Sequence, residues 1–108
     1  MFANTPQPPY YAVIFSAKKN HGPMEGYTET AAQIGALARL QPGFLGMESA
    51  QDDCSLEITI SYWKDEESIR TWHQQLDHRV AQKRGKEKWY DAYHVRVAKV
   101  ERAYSFAN

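Results

Sequence analysis

Residues 56–84, LEITISYWKDEESIRTWHQQLDHRVAQKR, predict one strand that leads directly into one long amphipathic helix. From Leu56 to Trp63, two sets of side chains alternate, which is the period-two pattern of a strand with one buried face. Asp65 stands at the N-cap position of the helix that follows. Four apolar residues then recur at spacings of three and four, which places them on one helical face: Ile69, Trp72, Leu76 and Val80.

The other elements follow from apolar periodicity and from turn residues. Pro42 and Gly43 end the first helix, because the residue before a proline is pushed out of the helical region. The first helix should carry an apolar stripe that runs from Tyr27 to Leu40. We predict a helix over residues 27–40 and strands over residues 10–17, 44–50 and 93–104.

The last strand, residues 93–104, has an irregular pattern. Tyr93, Val95 and Val97 share one face, but Val100 falls on the other. Either both faces are partly buried or a bulge near residues 98–99 switches the alternation. The Trp89-Tyr90 pair just before this strand could close a pocket mouth or pack on a partner.

The resulting order is β-α-β-β-α-β, which is typical of an α+β, ferredoxin-like fold with one antiparallel sheet and both helices on one face. Residues 10–108 then form a single domain. Residues 1–9 contain three prolines, and we expect an extended N-terminal arm that is mobile unless it docks on a partner subunit.

Composition excludes several classes of protein. The chain has 108 residues with 13 basic and 13 acidic side chains, so charge gives no reason to expect binding to nucleic acid or to an anionic membrane. No apolar run approaches the roughly 20 residues that span a bilayer. Cys54 is the single cysteine, and the start of the chain lacks a secretory signal pattern. We therefore expect a cytoplasmic protein without disulfides.

One face of the sheet should remain uncovered by the two helices. We expect this opposite face to carry Trp63 together with apolar residues of the first and last strands, and Tyr62 to lie under the helices. An exposed apolar patch of that size is unusual for a monomer. The sequence therefore predicts a homodimer that pairs through the sheet face, because two-fold symmetric dimers are the commonest oligomers.

Several short motifs together carry a family resemblance: QPGFLG at 41–46, ISYW at 60–63, the acidic residues before Trp72, His78, Trp89-Tyr90 and VAKVERAY at 97–104. They resemble the antibiotic biosynthesis monooxygenase-like family of the dimeric α/β-barrel superfamily. The resemblance implies a dimeric barrel with a pocket between sheet and helices in each protomer. Cofactor-free members of this family oxidise aromatic, polyketide-like molecules with dioxygen, and the substrate's own anion supplies the electrons.

Two residues of the second helix are the main candidates for this chemistry. His78 is the predicted catalytic base, because an imidazole changes its protonation near neutral pH. On a straight helix His78 lies opposite Ile69, so this role requires a break between Gln74 and Asp77 that turns it inward. Trp72 is either a core residue or a pocket wall on which a flat substrate stacks.

Two further residues are predicted to bind substrate. His73 lies at the edge of the apolar stripe with Asp77 one turn later, and an i,i+4 pair could hold one tautomer of the imidazole. Tyr62 would place its hydroxyl near a pocket beneath the helices.

The sequence leaves other functions open. It has no G-x-G-x-x-G fingerprint and no Cys/His cluster with metal spacing, so we expect neither a cofactor nor a metal. The main alternative is a non-catalytic ligand-binding or structural dimer. A minor alternative is a haem-binding or haem-degrading protein, because some relatives degrade haem. Those relatives carry an asparagine on the first strand and a histidine where this chain has Gln82, and both are absent here.

Overall fold

The computed structural model describes residues 2–77 and 89–108. In chain order the elements are β1 (Tyr10–Lys19), α1 (Tyr27–Arg39), β2 (Phe44–Gln51), β3 (Leu56–Trp63), α2 (Glu66–Asp77) and β4 (Tyr90–Val100). This order confirms the predicted ferredoxin-like α+β fold. The predicted continuation of α2 through Val80 to Arg84 lies outside the described residues. No helix within the described ranges is long and apolar enough to cross a membrane.

The four strands form one antiparallel sheet in the order β2-β3-β1-β4. Residues that pair across neighbouring strands share a face of the sheet. The register therefore defines a helix face, on which both helices pack, and a far face. The helix face includes Val13, Ser61 and Val97, and the far face includes Ala12, Tyr62 and Ala98.

The core lies between the helix face and the two helices. Trp63 is fully buried there and packs with Ala38 of α1 and with Ile69 and Trp72 of α2. The predicted alternation along β3 is thus confirmed, but the assignment of its two faces was wrong. Trp63 lies under the helices, and Tyr62 lies on the far face.

The prediction assigned the two faces of β3 the wrong way round, because alternation separates two sets of side chains but does not indicate which set contacts the helices. Trp63 stacks on Trp72 with ring centroids 5.8 Å apart, and its indole N–H donates to Ser61 Oγ at 2.9 Å. The Tyr62 hydroxyl instead donates to Glu48 Oε1 at 2.6 Å on the far face. Each aromatic residue lies where both its ring and its polar atom find partners.

The N-terminal arm docks on its own sheet. The Ala3 N–H donates to Glu48 Oε2 at 2.9 Å, and Thr5 Oγ1 donates to the Tyr10 hydroxyl at 3.0 Å. Both contacts lie on the far face, where Tyr10 and Ala12 are buried. The arm therefore covers one end of the far face within a single chain, and its docking on a partner subunit stays a prediction.

The start of α2 agrees with the sequence prediction, whereas the end of α1 does not. Asp65 caps α2 as predicted, because its Oδ1 accepts from the N–H of Ser68 at 2.8 Å and from the hydroxyl of Ser68 at 2.6 Å. These bonds hold the pKa of the Asp65 carboxyl below its ordinary value. At the end of α1, Leu40 is 80% exposed, so its placement on the apolar stripe was wrong. The helix ends at Arg39, and Leu40 turns away from the core.

The last strand begins earlier than predicted, at Tyr90, and ends at Val100. No bulge occurs near residues 98–99, where the pairing with β1 is regular. Val100 pairs with Tyr10 on the far face and is partly buried. The irregularity lies instead at the other end of β4, where the register shifts between Lys18 and Lys19.

Candidate functional site

An apolar floor lies on the helix face where β1 and β4 pair. Val13 pairs with Val97, Phe15 with Val95, and Tyr93 follows in the same register. Tyr93, Val95 and Val97 are 47–49% exposed, although they share a face with the core. We call these five residues the apolar floor.

A carboxylate lies beside one end of the apolar floor. Glu57, at the start of β3, accepts a hydrogen bond from the Tyr27 hydroxyl at Oε1 (2.5 Å) and one from the Tyr90 hydroxyl at Oε2 (2.8 Å). Tyr27 begins α1 and Tyr90 begins β4, so three elements meet at this carboxylate. Together with Trp89 we call these residues the Glu57 cluster.

Aromatic contacts join the Glu57 cluster to the apolar floor. The Tyr90 ring packs edge-to-face on Phe15 with centroids 5.5 Å apart, and Phe15 lies 5.3 Å from Tyr93. On the other side, Tyr27 makes an edge-to-face contact with Trp89 at 5.6 Å. Such pairs hold rings in defined orientations, so the two groups form one continuous surface.

The two phenols remain hydrogen-bond donors across the physiological pH range. Burial, together with the hydrogen bond to Glu57, raises the pKa of Tyr27 from 10.0 to about 12. Burial and the hydrogen bonds with Tyr27 and Glu57 raise the pKa of Tyr90 well above its ordinary value. Both effects disfavour the phenolate, because it would be poorly solvated and would face a carboxylate. The hydroxyls therefore hold the Glu57 side chain in one orientation.

Local backbone features bring these side chains together. Gly26 adopts a left-handed conformation (φ 81°) immediately before α1, a conformation that glycine adopts without strain. At the start of β4, Lys18 pairs with Ala92 but Lys19 pairs with Tyr90. This bulge adds one residue to β4, which moves Tyr90 onto the helix face that regular alternation would assign to Asp91.

Trp89 carries an unusual polar atom. Its side chain is 6% exposed, and the Asn20 N–H donates to its backbone carbonyl at 2.8 Å. Within the described part of the chain, its indole Nε1 is the one buried side-chain nitrogen or oxygen that has no hydrogen-bond partner. Buried N–H groups are nearly always paired in folded proteins, so this donor lacks, among the described residues, the acceptor that such a group normally has.

Two shallow cavities open on the described surface. One, of about 180 Å³, is lined by Glu57 together with Ser49, Ala50 and Gln51 of β2. The other, of about 230 Å³, lies at the start of α2 between Pro42 and Thr71. Both volumes fall below the roughly 300–1,000 Å³ that is usual for small-molecule sites.

The three predicted site residues that the structure describes do not meet in one place. Trp72 is buried in the core against Trp63, His73 is exposed on α2, and Tyr62 lies on the far face. His78 lies outside the described residues, so its role as catalytic base stays a prediction, as do the substrate-binding roles of the other three.

Sequence reasoning missed the Glu57 cluster. Tyr27 was assigned to an apolar stripe, and Glu57 was taken as a polar residue of an alternating strand. The one usable signal was the Trp89-Tyr90 pair, which the sequence placed near a pocket mouth or a partner. Among residues 2–77 and 89–108, no group of three or more His, Cys, Asp or Glu side chains is arranged to hold a metal ion.

The comparisons with known proteins agree with this fold. The family model described as antibiotic biosynthesis monooxygenase matches residues 11–84. The chain belongs to the antibiotic biosynthesis monooxygenase family. This member is 47% identical over 100 residues to the uncharacterized protein YqjZ of Bacillus subtilis, with 93% of this chain and 87% of YqjZ covered.

One further relative and one solved structure of similar fold carry names that describe an activity. Jasmonate monooxygenase ABM of Pyricularia oryzae is 26% identical over 104 residues, which cover 93% of this chain and 41% of that protein. The crystal structure of SnoaB, a cofactor-independent oxygenase from Streptomyces nogalater, matches with a TM-score of 0.74 at 13% identity and covers 89% of this chain and 97% of SnoaB. At that identity the likeness to SnoaB shows the fold alone.

Proposed function

We propose that this family member is a cofactor-independent monooxygenase that oxidises a small aromatic or polyketide-like molecule with dioxygen. The observation that carries the proposal is the apolar floor, whose β4 residues stay about half exposed on the same face as the core. A flat molecule could cover this surface and bury its rings there. Family membership and the names of two relatives support oxygenation as the reaction type.

In such a reaction the substrate supplies the electrons. A 9-hydroxyanthracene that loses its hydroxyl proton becomes an electron-rich anion, which reacts with dioxygen at the ring carbon opposite the hydroxyl. One oxygen atom remains as the second carbonyl of the anthraquinone, and the other leaves as water with the two displaced hydrogens. His78 is our candidate for the base, because a neutral imidazole can take up the first proton.

The proposal predicts oxygen consumption by the purified protein. With 9-hydroxyanthracene and related substrates, an oxygen electrode should record uptake in the presence of a chelator and without added flavin. We expect His78→Ala to lower the rate by about 10²–10⁴-fold, the usual contribution of a general base. His94→Ala is the matched control, because His94 is exposed on the far face of β4, and it should retain the wild-type rate. Absence of uptake across a broad substrate panel would contradict the proposal.

A second candidate function is a ligand-binding or structural dimer without turnover. Trp72 favours this candidate, because it fills the space under α2 by stacking on Trp63 and leaves no room for a substrate between them. The same panel separates the two functions. Binding of aromatic molecules without oxygen consumption would support the second candidate.

We also propose that two copies pair through the far face. Leu56 is 48% exposed and Ile58 is 37% exposed on that face, beyond the part that the N-terminal arm covers. Light scattering should give about twice the chain mass of 12.4 kDa.

Ile58→Asp should shift the mass toward that of one chain, because an unpaired carboxylate would be buried at the contact. Gln75→Asp, which adds the same charge on exposed α2, should leave the mass unchanged. A wild-type protein with the mass of one chain at micromolar concentration would refute the pairing.

A further inference from the structure

Glu57 has more hydrogen-bonding capacity than the described residues use. Each of its oxygens accepts one phenol hydroxyl, whereas an ionised carboxylate can accept about four hydrogen bonds. Glu57 is only partly buried and lines the cavity of about 180 Å³ beside Ser49 and Gln51. Because Tyr27 and Tyr90 already fix its orientation, accepting a further donor would need no rearrangement of the side chain.

The same cluster contains a donor that lacks an acceptor. The Trp89 indole N–H is buried and unpaired within the described residues, and leaving such a group unpaired is costly. Its ring contacts Tyr27, whose hydroxyl is bonded to Glu57. The helix cap Gly26 lies beside the same edge of the indole, since a Cβ at Gly26 would be 3.5 Å from Trp89 Cζ2. With no side chain at Gly26, that edge is less obstructed.

The apolar floor is the surface on which the rings of a ligand would lie, and Tyr90 connects it to the Glu57 cluster. Tyr90 contacts Phe15 and also lies 6.3 Å from Tyr93 by ring centroids. A flat ligand lying on the floor would therefore approach the Glu57 cluster with one edge.

We propose that Glu57 and Trp89 select and orient the ligand of this site. The Glu57 carboxylate accepts a hydrogen bond from a hydroxyl on the ligand, and the Trp89 indole N–H donates to an oxygen acceptor on the same edge. Tyr27 and Tyr90 are positioning residues, because they act by holding Glu57. The inference rests on the proposed function for an aromatic ligand on the floor, but it requires no turnover.

The first test compares two quinones that differ only in a hydroxyl group and cannot be oxidised in the proposed reaction. Equilibrium dialysis with absorbance detection should compare 2-hydroxyanthraquinone with anthraquinone. We expect Glu57→Gln to weaken binding of 2-hydroxyanthraquinone about tenfold, the usual effect of losing a hydrogen bond to a charged group, and to leave anthraquinone unchanged. Tyr27→Phe should weaken the binding of 2-hydroxyanthraquinone only. The effect should be smaller than that of Glu57→Gln, because the carboxylate is retained but is less firmly held.

Trp89→Phe tests the donor. This variant should bind both quinones several-fold more weakly than the wild type. It should bind 2-hydroxyanthracene, which has no carbonyl group, with wild-type affinity; this compound is measured without oxygen. Glu48→Gln is the matched control, because Glu48 is also a carboxylate bonded to a tyrosine but lies on the far face. It should leave all three affinities unchanged.

Three results would overturn the inference. The first is that Glu57→Gln weakens the binding of both quinones equally. The second is that Glu57→Gln or Trp89→Phe leaves every affinity unchanged although the far-ultraviolet circular dichroism of the variant is that of the wild type. The third is that the protein binds none of the three compounds. If the expected binding pattern holds while hydroxyanthracenes consume no oxygen, the inference stands and only the proposed oxygenation fails.

Discussion

Replacing Trp63 by alanine is expected to lower the free energy of unfolding by about 3–5 kcal/mol, the usual cost of removing a large buried aromatic side chain. Trp63 has no exposed surface. It stacks on Trp72, makes an edge-to-face contact with Phe44 at 5.4 Å and donates to Ser61. The substitution leaves a cavity where both helices meet the sheet. Since domains of this size are stable by only about 5–15 kcal/mol, much of the stability would be lost.

Tyr62→Ala provides the control for this prediction. Tyr62 is the next residue along β3 but lies on the far face and is only partly buried, so its removal should cost less than that of Trp63. Denaturant unfolding followed by far-ultraviolet circular dichroism measures both variants. It should be done at one protein concentration, because any association adds to the apparent stability. A larger loss for Tyr62→Ala would mean that the helices cover the other face.

The second large effect is expected for Gly43→Ala, which should destabilise the protein by about 2–5 kcal/mol. Gly43 has a φ of +85°, and a Cβ there would lie 2.1 Å from Ser68 Oγ and 2.7 Å from Ser68 Cβ. The left-handed conformation costs alanine about 1–2 kcal/mol, and overpacking adds about 1–3 kcal/mol. Ser68 cannot move freely, because its N–H and hydroxyl both donate to the cap residue Asp65.

Gly35→Ala separates this steric effect from a general effect of replacing glycine. Gly35 lies inside α1 and has ordinary helical geometry, and a Cβ there would meet only the end of the Arg39 side chain at 3.1 Å, which can move. Alanine is the better helix former, so this variant should be unchanged or more stable by up to about 1 kcal/mol. Thermal unfolding of the two variants gives the comparison. Equal losses at Gly35 and Gly43 would contradict the proposed clash.

The Gly43–Ser68 contact matters for the site because it positions α2. The Lys64 N–H donates to the Gly43 carbonyl at 2.8 Å, so the turn before β2 is joined to the turn before α2. The helix then presents Ile69 and Trp72 to the core. A shift of the cap would move Trp72 against Trp63 and change the surface beside the apolar floor.

Local signals in the sequence were enough to predict the elements and their order. Alternation found β3 at its observed bounds, the three- and four-residue spacing found α2, and Asp65 found the start of that helix. The Gln51-Asp52-Asp53 turn also follows from local chemistry. Asp52 Oδ1 accepts from the N–H groups of Cys54, Ser55 and Leu56, which closes the β2–β3 hairpin. Each of these features depends on residues that are close together along the chain.

The β-α-β-β-α-β order can be predicted from the amino-acid sequence alone, because periodicity, caps and turns are properties of short segments. The family can be predicted from the short motifs that resemble it. Long-range packing, in contrast, determines which face of β3 the helices cover and which side chains meet at Glu57. Those outcomes depend on the pairing of Trp63 with Trp72 and on a bulge opposite Lys18 and Lys19 that moves Tyr90 onto the helix face. A period-two pattern does not indicate which face of a sheet the helices cover, and it does not reveal where a one-residue bulge occurs.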